Sequence, residues 1–109
     1  MSAEARHEAL ALVLTLSTQL DALVVRGLRA TGAEDRARLA GHCEALKQMG
    51  ATQLAAALGE LLAAMGDGRR EAAQALLALR ARLRVFERLL TQRAVVAEWA
   101  AAEAAGALP

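Results

Sequence analysis

The sequence predicts an all-α protein, and three observations carry that prediction. Hydrophobic residues make up 56% of the 109-residue chain and aromatics only 2%. That apolar share is mostly alanine and leucine, both strong helix formers. Tyrosine is absent and β-branched residues are few, so most of the strand signal is missing. The only proline is the last residue, Pro109, and elsewhere apolar residues recur three and four apart between glycine-bearing breaks. The breaks are "ATGAED" at 30–35, "MGAT" at 49–52 and "GDG" at 66–68. They delimit helices over about 4–30, 33–49, 52–65 and 69–104. Short connections force antiparallel neighbours. The expected architecture is therefore an up-down-up-down antiparallel four-helix bundle with long first and last helices, a single domain over 1–109.

In the first segment Leu10, Val13, Leu16, Leu20, Leu23, Val24 and Leu28 recur at helical spacing. Leu14 and Val25 widen the stripe, which predicts a helix covered on more than one side. Gly27, near its end, reads as a point of close packing against a neighbour. In the second segment Thr31 and Glu34 have the T-x-x-E spacing of a capping box. Leu39, Cys43, Leu46 and Met49 mark its buried face, and Gly50 suits the left-handed residue that ends a helix. The third segment buries Leu54, Leu58, Leu61, Leu62 and Met65, and Gly66 ends it. Asp67 is placed to cap the next helix.

In the fourth segment Leu76, Leu79, Leu83, Phe86, Leu90, Ala94 and Ala97 alternate by three and four, as in a coiled coil. A weaker stripe, Ala78, Val85, Leu89 and Val96, lies on the far side and has no partner within a four-helix bundle. At ~1.5 Å per residue this helix reaches roughly 50 Å. The first and fourth helices are expected to pair and protrude together past the short middle pair.

Thirteen basic and twelve acidic residues give a net charge of +1, which makes no global electrostatic case for nucleic acid or membrane. One cysteine excludes an intramolecular disulfide and leaves zinc without a thiolate set. No apolar run is expected to reach the ~18–20 residues that span a bilayer. The start, "MSAEARHEAL", mixes charges unlike a signal peptide, so a cytoplasmic location is expected.

The stretch "LAGHCEALKQMGATQL" at 39–54 gathers reactive residue types: His42, Cys43 and Lys47. Cys43 falls on the buried stripe, where free cysteine behaves as a small apolar residue. His42 is its chain neighbour, and adjacent helical residues point about 100° apart, so the two do not form a nucleophile–base pair. His7 lies in the first turn, where no function is read. Two histidines, one cysteine and scattered carboxylates do not form a metal set. "GDG" lacks the lysine and hydroxyl of a phosphate loop. No enzymatic activity, metal or cofactor is expected.

Seven arginines stand against two glutamates over 69–93, and Arg80, Arg84 and Arg88 form an i, i+4, i+8 row. Such a row is a solvated face or a receiver of an acidic protein surface. Nucleic acid is less expected, because no aromatics are interleaved for stacking. Trp99 reads either as a docking anchor or as a cap on the protruding end of the first helix. The expected partner-binding residues are Arg80, Arg84, Arg88, Val85, Leu89, Val96 and Trp99. The expected function is a non-catalytic adaptor, self-associating or part of a hetero-complex.

"GATQLAAALGELLAAMGDG" and "AAQALLALRARLRVFERLL" look much like the last two helices of the histidine phosphotransfer (HPt) domain, and the order of pieces over 20–92 resembles that family. The resemblance implies the alternative function, a phosphosignalling domain that docks a receiver domain, with His42 as the candidate phosphoacceptor. Members carry His-x-x-Lys-Gly five residues before Gly-Ala. Anchored on Gly50-Ala51, this chain has Ala40, Cys43 and Glu44 at the histidine, lysine and glycine positions. Anchored on His42, it has Ala45 and Leu46 in the last two. "LVVRGLRATGAEDRARLAGHCEALKQMGATQLAAAL" is also similar to the helical segment of some bacterial SWIM zinc-finger proteins, without their zinc-binding cysteines. That resemblance implies an adaptor-like module.

Overall fold

A computed structural model describes residues 2–68 and 70–106. Four helices account for most of them: α1 (Ala3–Arg26), α2 (Ala33–Gln48), α3 (Thr52–Gly66) and α4 (Glu71–Ala104). A single 3-10 turn, Leu28–Ala30, follows α1, and there is no strand among the described residues. α1 starts where a side chain can cap it: Ser2 Oγ accepts from the Ala5 N–H at 3.1 Å.

Neighbouring helices run antiparallel, as expected. The start of α1 (Arg6) lies beside Gln92–Ala100 of α4, while its end and the turn after it (Leu23, Val24, Gly27, Leu28) lie beside Ala73–Leu77. The α2–α3 turn (Gly50–Leu54) meets α4 at Arg82–Leu89. Beyond Leu89, therefore, α4 leaves the middle pair behind and has only the first half of α1 alongside it. The molecule is 57 Å long and 25 × 20 Å in section. α1 packs on α4, α4 on α3 and α3 on α2, and the α1–α2 edge is the thinnest of the four.

One leucine-rich core runs through the bundle. Val13, Leu16 and Leu20 of α1, Leu39 and Leu46 of α2, Leu58 and Leu61 of α3, and Leu79 and Leu83 of α4 are fully or almost fully buried. No polar or charged residue among those described is buried with them. Cys43 joins this core, and its thiol donates to the Ala55 carbonyl at 3.3 Å, tying α2 to α3.

The ends of the helices differ from the expectations in several places. α1 stops at Arg26, four residues early. Gly27 ends it with φ 88°, and no atom lies within 4 Å of where its Cβ would stand; it serves backbone geometry, not close packing. The Thr31–Glu34 capping box does not form, because α2 begins one residue later with Gly32 as its N-cap. Thr31 Oγ1 is buried without a hydrogen-bond partner among the described residues. Gly66 is helical, and the left-handed residue after α3 is Gly68 (φ 64°). Asp67 is the C-cap of α3, and Arg70 stands at the N-cap position of α4, so Asp67 is not at the position expected for it. Arg69, the expected first residue of α4, lies outside the described residues. Leu14, Val24 and Val25 face outward, so α1 is covered on one side only.

α1 also carries an 18-residue stretch of mean hydropathy 1.6, long and apolar enough by length and composition to cross a membrane. The expectation that no segment reaches that length does not hold. The inner part of the same stretch, Val13, Leu16 and Leu20, lies in the core.

Gly50 does what its position suggests. With φ 81° it closes α2; its N–H donates to the Lys47 carbonyl at 3.0 Å and the Ala51 N–H to the Leu46 carbonyl at 2.9 Å. That is the two-bond Schellman closure. Gly41 lies inside α2, and a Cβ there would meet nothing within 4 Å. The same substitution should therefore have opposite signs nine residues apart. Gly50→Ala is expected to lower stability by about 1–2 kcal/mol through backbone strain. Gly41→Ala is expected to raise it by about 0.5–1 kcal/mol. Urea midpoints of the two variants check this; a shift of the same sign in both would contradict it.

Candidate functional site

α4 buries Leu76, Leu79, Leu83 and Leu90 on one face. Residues two or six positions away from these, such as Val85, Leu89 and Val96, must then point outward. They do: Leu89 is 47% exposed, Val96 66% and Trp99 60%. Trp99 thus lies open on the surface. Leu77 and Val95, absent from the expected set, are exposed as well. Their signal was available, since each lies seven residues from an exposed arginine on the same helical side, Leu77 from Arg84 and Val95 from Arg88.

Two hollows meet along this face. One, of about 560 Å³, has Val85, Phe86 and Leu89 as its floor and the α2–α3 turn with Arg82 as its wall. The next, of about 490 Å³, is lined by Arg6, Leu89, Gln92, Arg93, Val96, Ala97 and Ala100. Leu89 belongs to both, so they form one groove. It opens where α4 outruns the middle pair. Arg6, Arg82 and Arg93 line it and were not among the expected residues. Which of many arginines would line it depended on the level at which the α2–α3 turn meets α4.

The arginine row splits. Arg80 donates from Nε at 3.1 Å and Nη2 at 2.7 Å to Asp21 Oδ1 of α1, and its side chain is only 24% exposed. It clamps α4 to α1 and is not part of a free row, which corrects the expectation for this residue. Arg84 and Arg88 are exposed and have no hydrogen bond or ion pair among the described residues.

The reactive-looking stretch comes apart. Cys43 is core. Lys47 is exposed, and its Nζ lies 3.2 Å from Glu44 Oε1; that hydrogen bond, with the carboxylate's charge, raises its pKa. His42 is half-buried, and its Nε2 is covered and unpartnered among the described residues. Arg26 pairs with Asp35 at 3.6 Å and Leu23 lies with Leu39, so the α1–α2 register brings Gln19 to the level of His42. Gln19 Oε1 is likewise buried and unpartnered among the described residues. No group of three His, Cys, Asp or Glu able to hold a metal occurs among the described residues. Glu4 and His7 have a Glu-x-x-His spacing, but both are exposed in the first turns of α1.

Burial disfavours the charged imidazole and lowers the His42 pKa. The unfolded chain then takes up a proton at higher pH than the folded one. Stability associated with neutral His42 is present above its ordinary value, about 6.5, and is lost as pH falls below that toward the folded value. The urea midpoint is expected to fall between about pH 7.5 and about pH 5.5, and to fall less in His42→Gln. Equal slopes in the two proteins would contradict it.

No family model, curated protein or solved structure matches the chain.

Proposed function

We propose that the protein is a non-catalytic helical interaction module that binds a protein, another chain or a second copy, through the outer face of α4 and the start of α1. One observation carries this reading. The exposed side chains of Val85, Leu89 and Val96 form an apolar strip along two adjoining hollows bordered by arginines, and Trp99 is exposed three residues beyond Val96. Scattered exposed apolar residues are ordinary, but a contiguous strip with a polar border marks an interaction site. Tryptophan and arginine are also the types that dominate binding energy at interfaces. A photo-crosslinking residue at Val96, with one at exposed Ala37 of α2 as control, tests it in the cell of origin alongside sedimentation at micromolar concentration. Adducts from position 96 and not 37 are the expected result. A monomer with no adduct at either position would sink the reading.

A phosphosignalling role is the second reading, supported by the four-helix order. It needs an accessible imidazole and a nearby cation for the phosphoryl charge. Here His42 Nε2 is covered and Lys47 is engaged by Glu44, which favours docking without transfer. Incubation with a phosphorylated receiver domain separates the two forms: acid-labile label lost in His42→Ala marks transfer.

A further inference from the structure

We propose that the α4 groove takes an amphipathic helix from a different protein, apolar along one side and carrying carboxylates on both borders. This rests on the groove being a protein-binding surface and names what fits it. The case is electrostatic. On the helical wheel Arg82 and Arg93 border the exposed strip on one side and Arg84 and Arg88 on the other. All four are exposed, and none has a hydrogen bond or ion pair among the described residues. No carboxylate lines either hollow. Of the α4 carboxylates on this part of the helix, Glu87 and Glu98 fall on the opposite side of the wheel with Arg80, and Glu103 lies one turn past Trp99, beyond the groove.

A second copy is a poor occupant. Pairing this face with itself sets arginine borders against arginine borders, and like charges across an interface oppose association. The other outward apolar residues offer few carboxylates: Val95 has Glu98 three residues on, a single one. Leu14 and Val25 of α1 have Asp21 between them, and Arg80 already holds it. The shape favours a helix. The strip from Val85 to Ala100 is roughly 22 Å long, matching a partner of about four turns that lays leucine-type residues at i, i+3, i+4 and i+7 into the groove. At its Val85 end the strip is bordered by the α2–α3 turn, which leaves more room for a single helix than for a flat bilayer.

The test uses the full chain and two tryptophan-free helical peptides of about 18 residues. Both carry one leucine face; one has glutamates on both borders and the other lysines. Trp99, the only tryptophan, reports binding beside the groove, and calorimetry gives the affinity. The glutamate peptide is expected to bind at least about tenfold more tightly than the lysine peptide and to weaken about tenfold or more at high salt. Arg82→Glu with Arg93→Glu is expected to invert the preference; circular dichroism checks the fold, and Arg84→Glu with Arg88→Glu gives an independent second pair. Equal affinity for the two peptides, a preference that neither pair inverts, or tighter binding to anionic phospholipid vesicles than to the glutamate peptide would overturn the proposal. A dimer that Leu89→Asp dissolves, with no peptide binding, would also overturn it and leave the broader reading intact with a second copy as occupant. A monomer that binds neither peptide and gives no adduct from position 96 would overturn both.

Discussion

Replacing Leu79 by alanine is expected to destabilise the bundle by about 3 kcal/mol, because it removes a buried leucine and leaves a cavity that the surroundings fill only in part. Leu79 is fully buried and belongs to the single leucine-rich core that all four helices share. Leucine cores held by helices on several sides collapse poorly onto a missing side chain, which places the loss in the middle of the usual range. For a chain of this size the loss corresponds to a drop in Tm of roughly 12–20 °C. Leu77 provides the control two residues away. It is exposed, and Leu77→Ala is expected to stay within about 0.5 kcal/mol. Urea denaturation of both variants decides it. A loss below about 1 kcal/mol for Leu79→Ala would mean that α4 does not sit on the core as described.

Leu89→Asp is expected to give the opposite pattern: association falls by about tenfold or more while stability changes by about 0.5 kcal/mol or less. Leu89 is the residue shared by both hollows, so a carboxylate there interrupts the strip at its middle. It is half-exposed in the isolated chain, so the folded monomer loses little. The pair Leu79 and Leu89, ten residues apart on one helix, separates the side that holds the bundle together from the side that reaches outward. Sedimentation and peptide binding measure the first effect, and urea denaturation the second. If Leu89→Asp unfolds the protein, the residue belongs to the core; if it leaves association untouched, the groove is not the interface.

Much of this was legible in the chain. The three-and-four spacing of Leu76, Leu79, Leu83 and Leu90 set the inner face of α4, and the outward direction of Val85, Leu89 and Val96 followed from helix geometry alone. Cys43 fell into place for the same reason, and Gly50 did because a left-handed closing residue favours glycine. What stayed hidden depends on contacts distant in sequence. Arg80 looked like a member of an arginine row until the fold brought Asp21 to it from 59 residues away. Thr31 and Glu34 had the right spacing for a cap, but α2 starts at Ala33 and the motif is one residue out of step. His42 read as a surface histidine, but its Nε2 is covered in the fold. The groove was the least legible feature, because it exists only where one helix outlasts its neighbours.

The thin α1–α2 edge has a consequence for how the molecule assembles and breathes. α2, α3 and α4 follow one another in sequence, and each packs on the next, so their contacts close over short loops. α1 is held chiefly by α4, at the other end of the chain, and joining those ends carries the larger loop-closure entropy. Segments with few contacts open first and cooperatively, below the free energy of global unfolding. α1 should then be the last helix to dock and the first to leave, and its backbone amides should exchange with solvent faster than those of α3; slower exchange in α1 would contradict this. Its departure would uncover the inner faces of Val13, Leu16 and Leu20 together. The 24-residue helix is thus expected to be the first element to detach, and its departure would also bare the α4 surface it covers.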